Sequence, residues 1–233
     1  MKTPILVSGV VLLGVLGGVG GYFGGARYEQ PSMVNEAAVA APLAGYPTDA
    51  ALPRKTPEPN KLPGLKTKEL TFRTQSFTVR ADSGATVRLS IRMARGWQLT
   101  RDPKAPREVR FLDPLKERGV RVESAIPLAL STTDSMRQLV NLLKASQAYE
   151  NDLRILAETD GQVTGTDGSP RTVSTLIYTY IPKQTRRYVI VRWIATGVDD
   201  KATVEMSITG LPQDATGLAA VLAETTKSVQ LKD

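Results

Sequence analysis

Residues 187–196 read Arg-Tyr-Val-Ile-Val-Arg-Trp-Ile-Ala-Thr. In a strand, successive side chains point to opposite faces. Tyr188, Ile190 and Ile194 therefore share one face, and Val189, Val191 and Trp193 share the other. A strand apolar on both faces belongs inside a sheet that is covered on each side. Two further strand-like runs flank it, at 172–181 and 202–209. Pro182-Lys183-Gln184-Thr185 joins the first pair and Gly197-Val198-Asp199-Asp200 the second. Connections this short make an antiparallel meander. A shorter strand at 153–159 is expected before it.

The signal continues on both sides of the meander. Val87, Leu89, Ile91 and Met93 alternate with Arg88, Ser90 and Arg92, which predicts a half-buried strand. A strand-like run at 70–80 and the turn formers Asp82-Ser83-Gly84 make it one arm of a hairpin. Short strands are expected at 108–112 and 119–125. Ser131, Thr132, Thr133 and Asp134 then offer helix N-caps. Met136, Leu139, Val140 and Leu143 follow at helical spacing and form one apolar stripe. A last helix is expected over 214–229, after Pro212, with Leu218, Val221, Leu222 and Thr225 facing inward. The fold class is α+β, an antiparallel sheet with two main helices against it.

Gly96-Trp97 after an alternating strand, Val109-Arg110-Phe111-Leu112-Asp113-Pro114, the capped helix, Trp193-Ile194-Ala195-Thr196-Gly197 and the alanine-rich helix 218–229 together resemble the PsbP-like family. The resemblance covers about residues 68–231. It implies an α/β/α sandwich, and binding or scaffolding beside membrane complexes or in the actinobacterial cell envelope, as for the Lpq-type lipoproteins. It implies no catalytic residues. One departure is plain: those lipoproteins carry an acylated cysteine, and this chain has no cysteine.

A hydrophobic run takes the place of that cysteine. Residues 3–26 carry no charged side chain, and about 20 residues suffice to cross the hydrocarbon of a bilayer. Ile5-Leu6-Val7 and the stretch 10–16 are strongly apolar; the remainder is glycine-rich. A cleaved signal peptide would need a small-residue site just past the apolar run. Ala38-Val39-Ala40 lies well beyond it, so residues 1–26 are expected to remain as a transmembrane signal anchor. Lys2 precedes the run, and the positive-inside bias places the N-terminus in the cytoplasm and the rest outside the plasma membrane, single-pass. Gly14, Gly17, Gly18, Gly20, Gly21, Gly24 and Gly25 give small-xxx-small pairs that let helix backbones approach closely. Residues 27–66, with prolines at 31, 42, 47, 53, 57, 59 and 63, are expected to be a Pro/Ala-rich linker. Residues 67–233 form the globular domain.

Composition removes much chemistry. Cysteine and histidine are both absent, which excludes disulfides, thiolate nucleophiles, Ser-His-Asp triads and histidine-bearing metal sites. Phosphate loops, dinucleotide glycine patterns and nucleophile elbows are missing. Gly161, Gly165 and Gly168 near Asp160 and Asp167 are turn chemistry, not a calcium-loop spacing. No catalytic residue, cofactor or metal is expected. The net charge is +7, without a basic stripe interleaved with aromatics, so nucleic acid is not an expected partner. Tyr178, Tyr180, Tyr188 and Trp193 are candidates for lining a groove between sheet and helix. Arg186, Arg187 and Arg192 are candidates for an anion contact.

The expected function is a non-enzymatic accessory or scaffold subunit, tethered to the membrane and docked on the external face of a larger membrane protein complex of respiratory or envelope-assembly type. The alternative is a module binding a lipid or glycolipid of the envelope; a carboxylate-only enzyme ranks last. If the glycine faces pack against a membrane partner, replacing Gly17 and Gly21 with Leu abolishes its co-purification. Unchanged recovery of the partner rules that packing out.

Overall fold

Strand β8 (Arg187–Ile194) lies between β9 (Val204–Gly210) and β7 (Pro170–Tyr180), antiparallel to both. Its residues from Val189 to Val191 are buried without a break, as are Trp193 and Ile194. Outward from it the sheet runs β3 (Gln98–Thr100), β4 (Glu108–Leu112), β5 (Gly119–Ser124), β9, β8, β7 and β6 (Arg154–Thr164), with every neighbour antiparallel. A second, three-stranded sheet is ordered β1 (Phe72–Arg80), β2 (Thr86–Ala94), β10 (Gln230–Lys232). The computed structural model describes residues 53–81, 83–124 and 130–232. The anchor expected over 1–26, its glycine faces, and residues 27–52 of the expected linker lie outside them. No helix of the described residues is long and apolar enough to cross a membrane.

The two helices lie on opposite faces of the large sheet. Helix α1 (Thr132–Ser146) starts at an N-cap formed by Ser131, whose hydroxyl accepts from Asp134 N–H at 3.0 Å. It buries Met136, Leu139, Val140 and Leu143, the stripe that the spacing predicts. Its first turn meets Ser174, which faces the same way as Trp193. Helix α2 (Ala215–Ser228) instead meets Arg192 through Thr226, on the face that carries Ile190 and Ile194. That second face holds the main core, where Leu218, Val221 and Leu222 of α2 join Met206, Ile208, Val120 and Val122. The small sheet closes the same core with Leu89, Ile91 and Met93, all fully buried. Phe77 of β1 meets Phe111 of β4 edge to face, 5.7 Å between centroids, an arrangement favoured by the ring quadrupoles.

Three elements go beyond the sequence reading. β10 closes onto β2 from the far end of the chain, and β3 is a three-residue edge. β6 is eleven residues long rather than the short 153–159 strand, because it pairs with β7 through Thr164. Asp160 and Gly161 are poor strand formers, and cross-strand pairing overrides that local preference.

The compact unit begins at Lys55, so the last twelve residues of the expected linker are fastened to the domain as a strap. Lys55 N–H donates to Glu150 O at 2.8 Å, and its ammonium reaches Asn151 Oδ1 at 2.6 Å. Glu58 N–H donates to Gln184 O at 2.8 Å. The tightest fastening is at Asp214, which is wholly buried just before α2. Its carboxylate accepts from Leu65 N–H and Leu211 N–H, both at 2.8 Å, and pairs with Arg118 at 2.9 Å. Arg118 also donates to Pro63 O at 2.6 Å and pairs with Asp113 at 3.1 Å. Leu65 lies so close to Gly217 that no side chain fits there, which is why α2 carries a glycine in its first turn. Truncating Asp214 takes one of two carboxylates from the buried Arg118 and leaves the N–H groups of Leu65 and Leu211 without their acceptor, each such loss costing about 1–3 kcal/mol. Asp214→Ala should therefore lower unfolding stability by about 3 kcal/mol in urea titration and speed tryptic cleavage at Lys61 and Lys66.

Candidate functional site

The first face of the large sheet carries a continuous lateral row of polar side chains. Register places Glu108, Glu123, Glu205, Trp193, Ser174 and Asp160 side by side across six strands. Three adjacent carboxylates would repel one another. Arg121, two residues along β5 and buried, holds all three. Its Nη1 lies 3.0 Å from Glu108 Oε2 and 2.6 Å from Glu123 Oε2, while its Nη2 pairs closely with Glu205 Oε1. Arg110 takes the other oxygen of Glu108 at 2.6 Å, and Trp193 Nε1–H donates to the other oxygen of Glu205 at 2.8 Å. Burial alone would pull the Arg121 pKa down, but the surrounding glutamates raise it above its ordinary value. Burial also pushes the Glu205 carboxyl up, with Arg121 opposing.

At the other end of the row, Ser174 Oγ–H donates to Asp160 Oδ1 at 2.5 Å, and Thr133 Oγ1–H donates to the same oxygen at 2.9 Å. Ser174 also contacts Thr132 Oγ1 at 3.0 Å. This cluster joins the start of α1 to the sheet. Asp167, the second carboxylate of the glycine-rich stretch, is spent elsewhere. It accepts from Ser169 N–H at 3.1 Å in the β6–β7 turn and pairs with Arg171 at 3.1 Å. Arg171, almost wholly buried, also donates to Thr226 O and Lys227 O and so caps the C-terminal end of α2. Cations are favoured at that end of a helix. Among the described residues no group of three or more acidic side chains is arranged to hold a metal ion.

The four candidate groove aromatics do not share a groove. Tyr178, Tyr180 and Trp193 lie on the α1 face, the tyrosine rings 5.9 Å apart and tilted by 43°. All three are buried, and burial pushes both tyrosine hydroxyls up. Tyr188 lies on the opposite face, part-exposed at the rim of the core, because strand parity separates it from Val189 and Trp193.

Nor do the three candidate arginines form one anion contact. Arg186 pairs with Asp152 at 2.6 Å, and Arg187 pairs with Glu117 at 3.0 Å. Arg192 is different. Its Nε–H donates to Thr175 Oγ1 at 2.9 Å and its Nη1–H to Thr226 Oγ1 at 3.1 Å. Of the described arginines that are not exposed, Arg107, Arg110, Arg118, Arg121, Arg171, Arg186 and Arg187 each have a carboxylate within 4.0 Å. Arg192 bonds two uncharged hydroxyls instead, and desolvation lowers its pKa.

The charged row escaped the sequence reading because Arg121 and Glu123 alternate with Val120 and Val122, like any half-exposed strand. The available signal was the recurrence of glutamate at the same parity in three strands that pair. Compared with known proteins, the chain matches no family model, and no curated protein is similar to it.

Asp152 supplies a test of these ion pairs. Hydrogen bonds from Arg186 and Arg154 hold its carboxyl at about 2, below the ordinary 3.8. A depressed acid stabilises the fold above its unfolded pKa and loses that contribution as pH falls through its folded one. Stability should therefore fall between about pH 4 and pH 2. Asp152→Asn should flatten that part of the profile of melting temperature against pH.

Proposed function

We propose that this chain is a non-enzymatic accessory subunit. A helix within residues 1–26 anchors it in the plasma membrane, and its domain docks on the external face of a larger membrane protein complex. The strap carries the reading. A carrier or enzyme on a loose tether has no need to fix where its chain enters the domain. Here residues 55–65 are bound at Glu150, Gln184, Arg118 and Asp214, so the chain enters the domain along a defined path. A rigid entry path favours simultaneous engagement of a membrane helix and an external docking face, because less freedom is lost on binding. The charged row supports the same reading. Its carboxylate oxygens are committed to arginines and to the Trp193 indole, which suits a rigid scaffold better than proton transfer. The PsbP-like resemblance implies a role of the same kind, binding or scaffolding beside membrane complexes.

Extraction of the full chain from native membranes in mild detergent, affinity capture and mass spectrometry test this. Membrane subunits recovered at stoichiometric yield are the expected result. Capture of the chain alone, under conditions that preserve known complexes of the same membrane, would overturn it.

A further inference from the structure

Arg192 sits on the α2 face of β8 with no carboxylate of the described residues within ion-pair distance, next to an apolar strip that α2 leaves partly open. Ile177 of β7 and Tyr188 of β8 pack against the core yet remain part-exposed. Tyr188 and Arg192 share that face, four residues apart, which is about 13 Å along a strand. Helix α2 runs beside the strip. Its Thr226 end meets Arg192, and its start lies near Gly210, the register partner of Tyr188. The helix flank bordering the strip follows from Thr226 by helical spacing, and it presents Ala223 and Ala219, small and exposed. Glu224 of α2 faces the other way and pairs with Arg92, while exposed Lys227, four residues on from Ala223, puts a second cation at the Arg192 end of this flank.

A half-buried guanidinium without an anion costs free energy. The fold avoids that cost at the seven other arginines named above. Arg192 is held in place by the hydroxyls of Thr175 and Thr226, which orient it without neutralising it. Guanidinium groups bind carboxylate and phosphate oxygens in pairs. The geometry points to a binding site for an anionic amphiphile: the carboxylate or phosphate headgroup on Arg192, the hydrocarbon laid along Ile177 toward Tyr188 between α2 and β7. An envelope lipid is the source that a membrane-anchored domain would meet. This inference stands apart from the docking of partner subunits, and either can fail alone.

The full chain, held in amphipol with empty amphipol as the blank, is titrated with dodecyl phosphate below its micelle concentration and followed by phosphorus NMR. Inorganic phosphate is titrated in parallel. Dodecyl phosphate should bind, and Arg192→Gln should weaken it about tenfold or more, with circular dichroism showing that the variant remains folded. Arg192→Lys should recover part of the affinity. Ile177→Ser should weaken dodecyl phosphate without affecting phosphate. Three results would overturn the proposal: no binding to the unmodified chain, equal binding to Arg192→Gln, or inorganic phosphate binding as tightly as dodecyl phosphate.

Discussion

One buried carboxylate ties together parts of the chain that are far apart in sequence. Asp214 accepts from the backbone of Leu65 and of Leu211 and pairs with Arg118. Arg118 in turn belongs to the β4–β5 turn, where Asp113 accepts from the N–H groups of Glu117 and Arg118 at 2.8 and 3.0 Å. The strap, that turn and the start of α2 thus meet at two side chains. Each pays a desolvation cost, and the geometry offsets it by giving both Asp214 oxygens two or one close donors and the guanidinium three acceptors. A buried pair of this kind is weak evidence for added stability but strong evidence for a specified arrangement. An apolar substitute would hold the same volume without fixing where the strap lies.

The large sheet divides its two faces by chemistry. One face is hydrocarbon across β4, β5 and β9 and, Arg192 apart, across β8, and the small sheet and α2 close over it. The other changes character along its width, from Leu176, Tyr178 and Val191 under α1 to the glutamate row on β4, β5 and β9. Such a row is stable only because Arg121 stands within reach of all three carboxylates. Removing Arg121 would leave three neighbouring carboxylates with no shared cation, Glu205 with no arginine at all, whereas removing one glutamate would leave a guanidinium that still has two partners. The network therefore depends on its central cation more than on any one of its anions.

The meander, the first hairpin and both helices were legible because their apolar periods are long and local, whereas β3, β10 and the far half of β6 were not. β8 is the clearest case: both parities of 188–194 are apolar, and only an interior strand can use both. What was not legible depends on tertiary partners. A proline-rich segment reads as a tether because proline donates no hydrogen bond, yet Pro63 O accepts one from Arg118 and the neighbouring Leu65 N–H donates to Asp214. Nothing in the composition of 55–66 announces those partners. The aromatic and arginine candidates failed as groups for a related reason. Residues close in sequence on a strand alternate between faces, so Tyr188 and Trp193 end on opposite sides of the sheet, and Arg187 and Arg192 do the same.

Arg192 shows how a local rule, broken once, stands out against its own fold. Its neighbour in space, Arg171, is more deeply buried and equally close to the end of α2. Arg171 takes the helix's terminal carbonyls and the Asp167 carboxylate, and its charge is fully answered. The carbonyls at the end of the helix are therefore already satisfied, and what Arg192 supplies there is a partner for the buried Thr226 hydroxyl. A glutamine at 192, whose amide ends about where the Arg192 Nε lies, would meet the Thr175 hydroxyl with less desolvation. Sequences that specify a fold are consistent across levels, and departures from that consistency collect where something other than folding sets the residue. A guanidinium held by neutral hydroxyls and bordered by a part-open apolar strip fits an anion that the described residues do not supply.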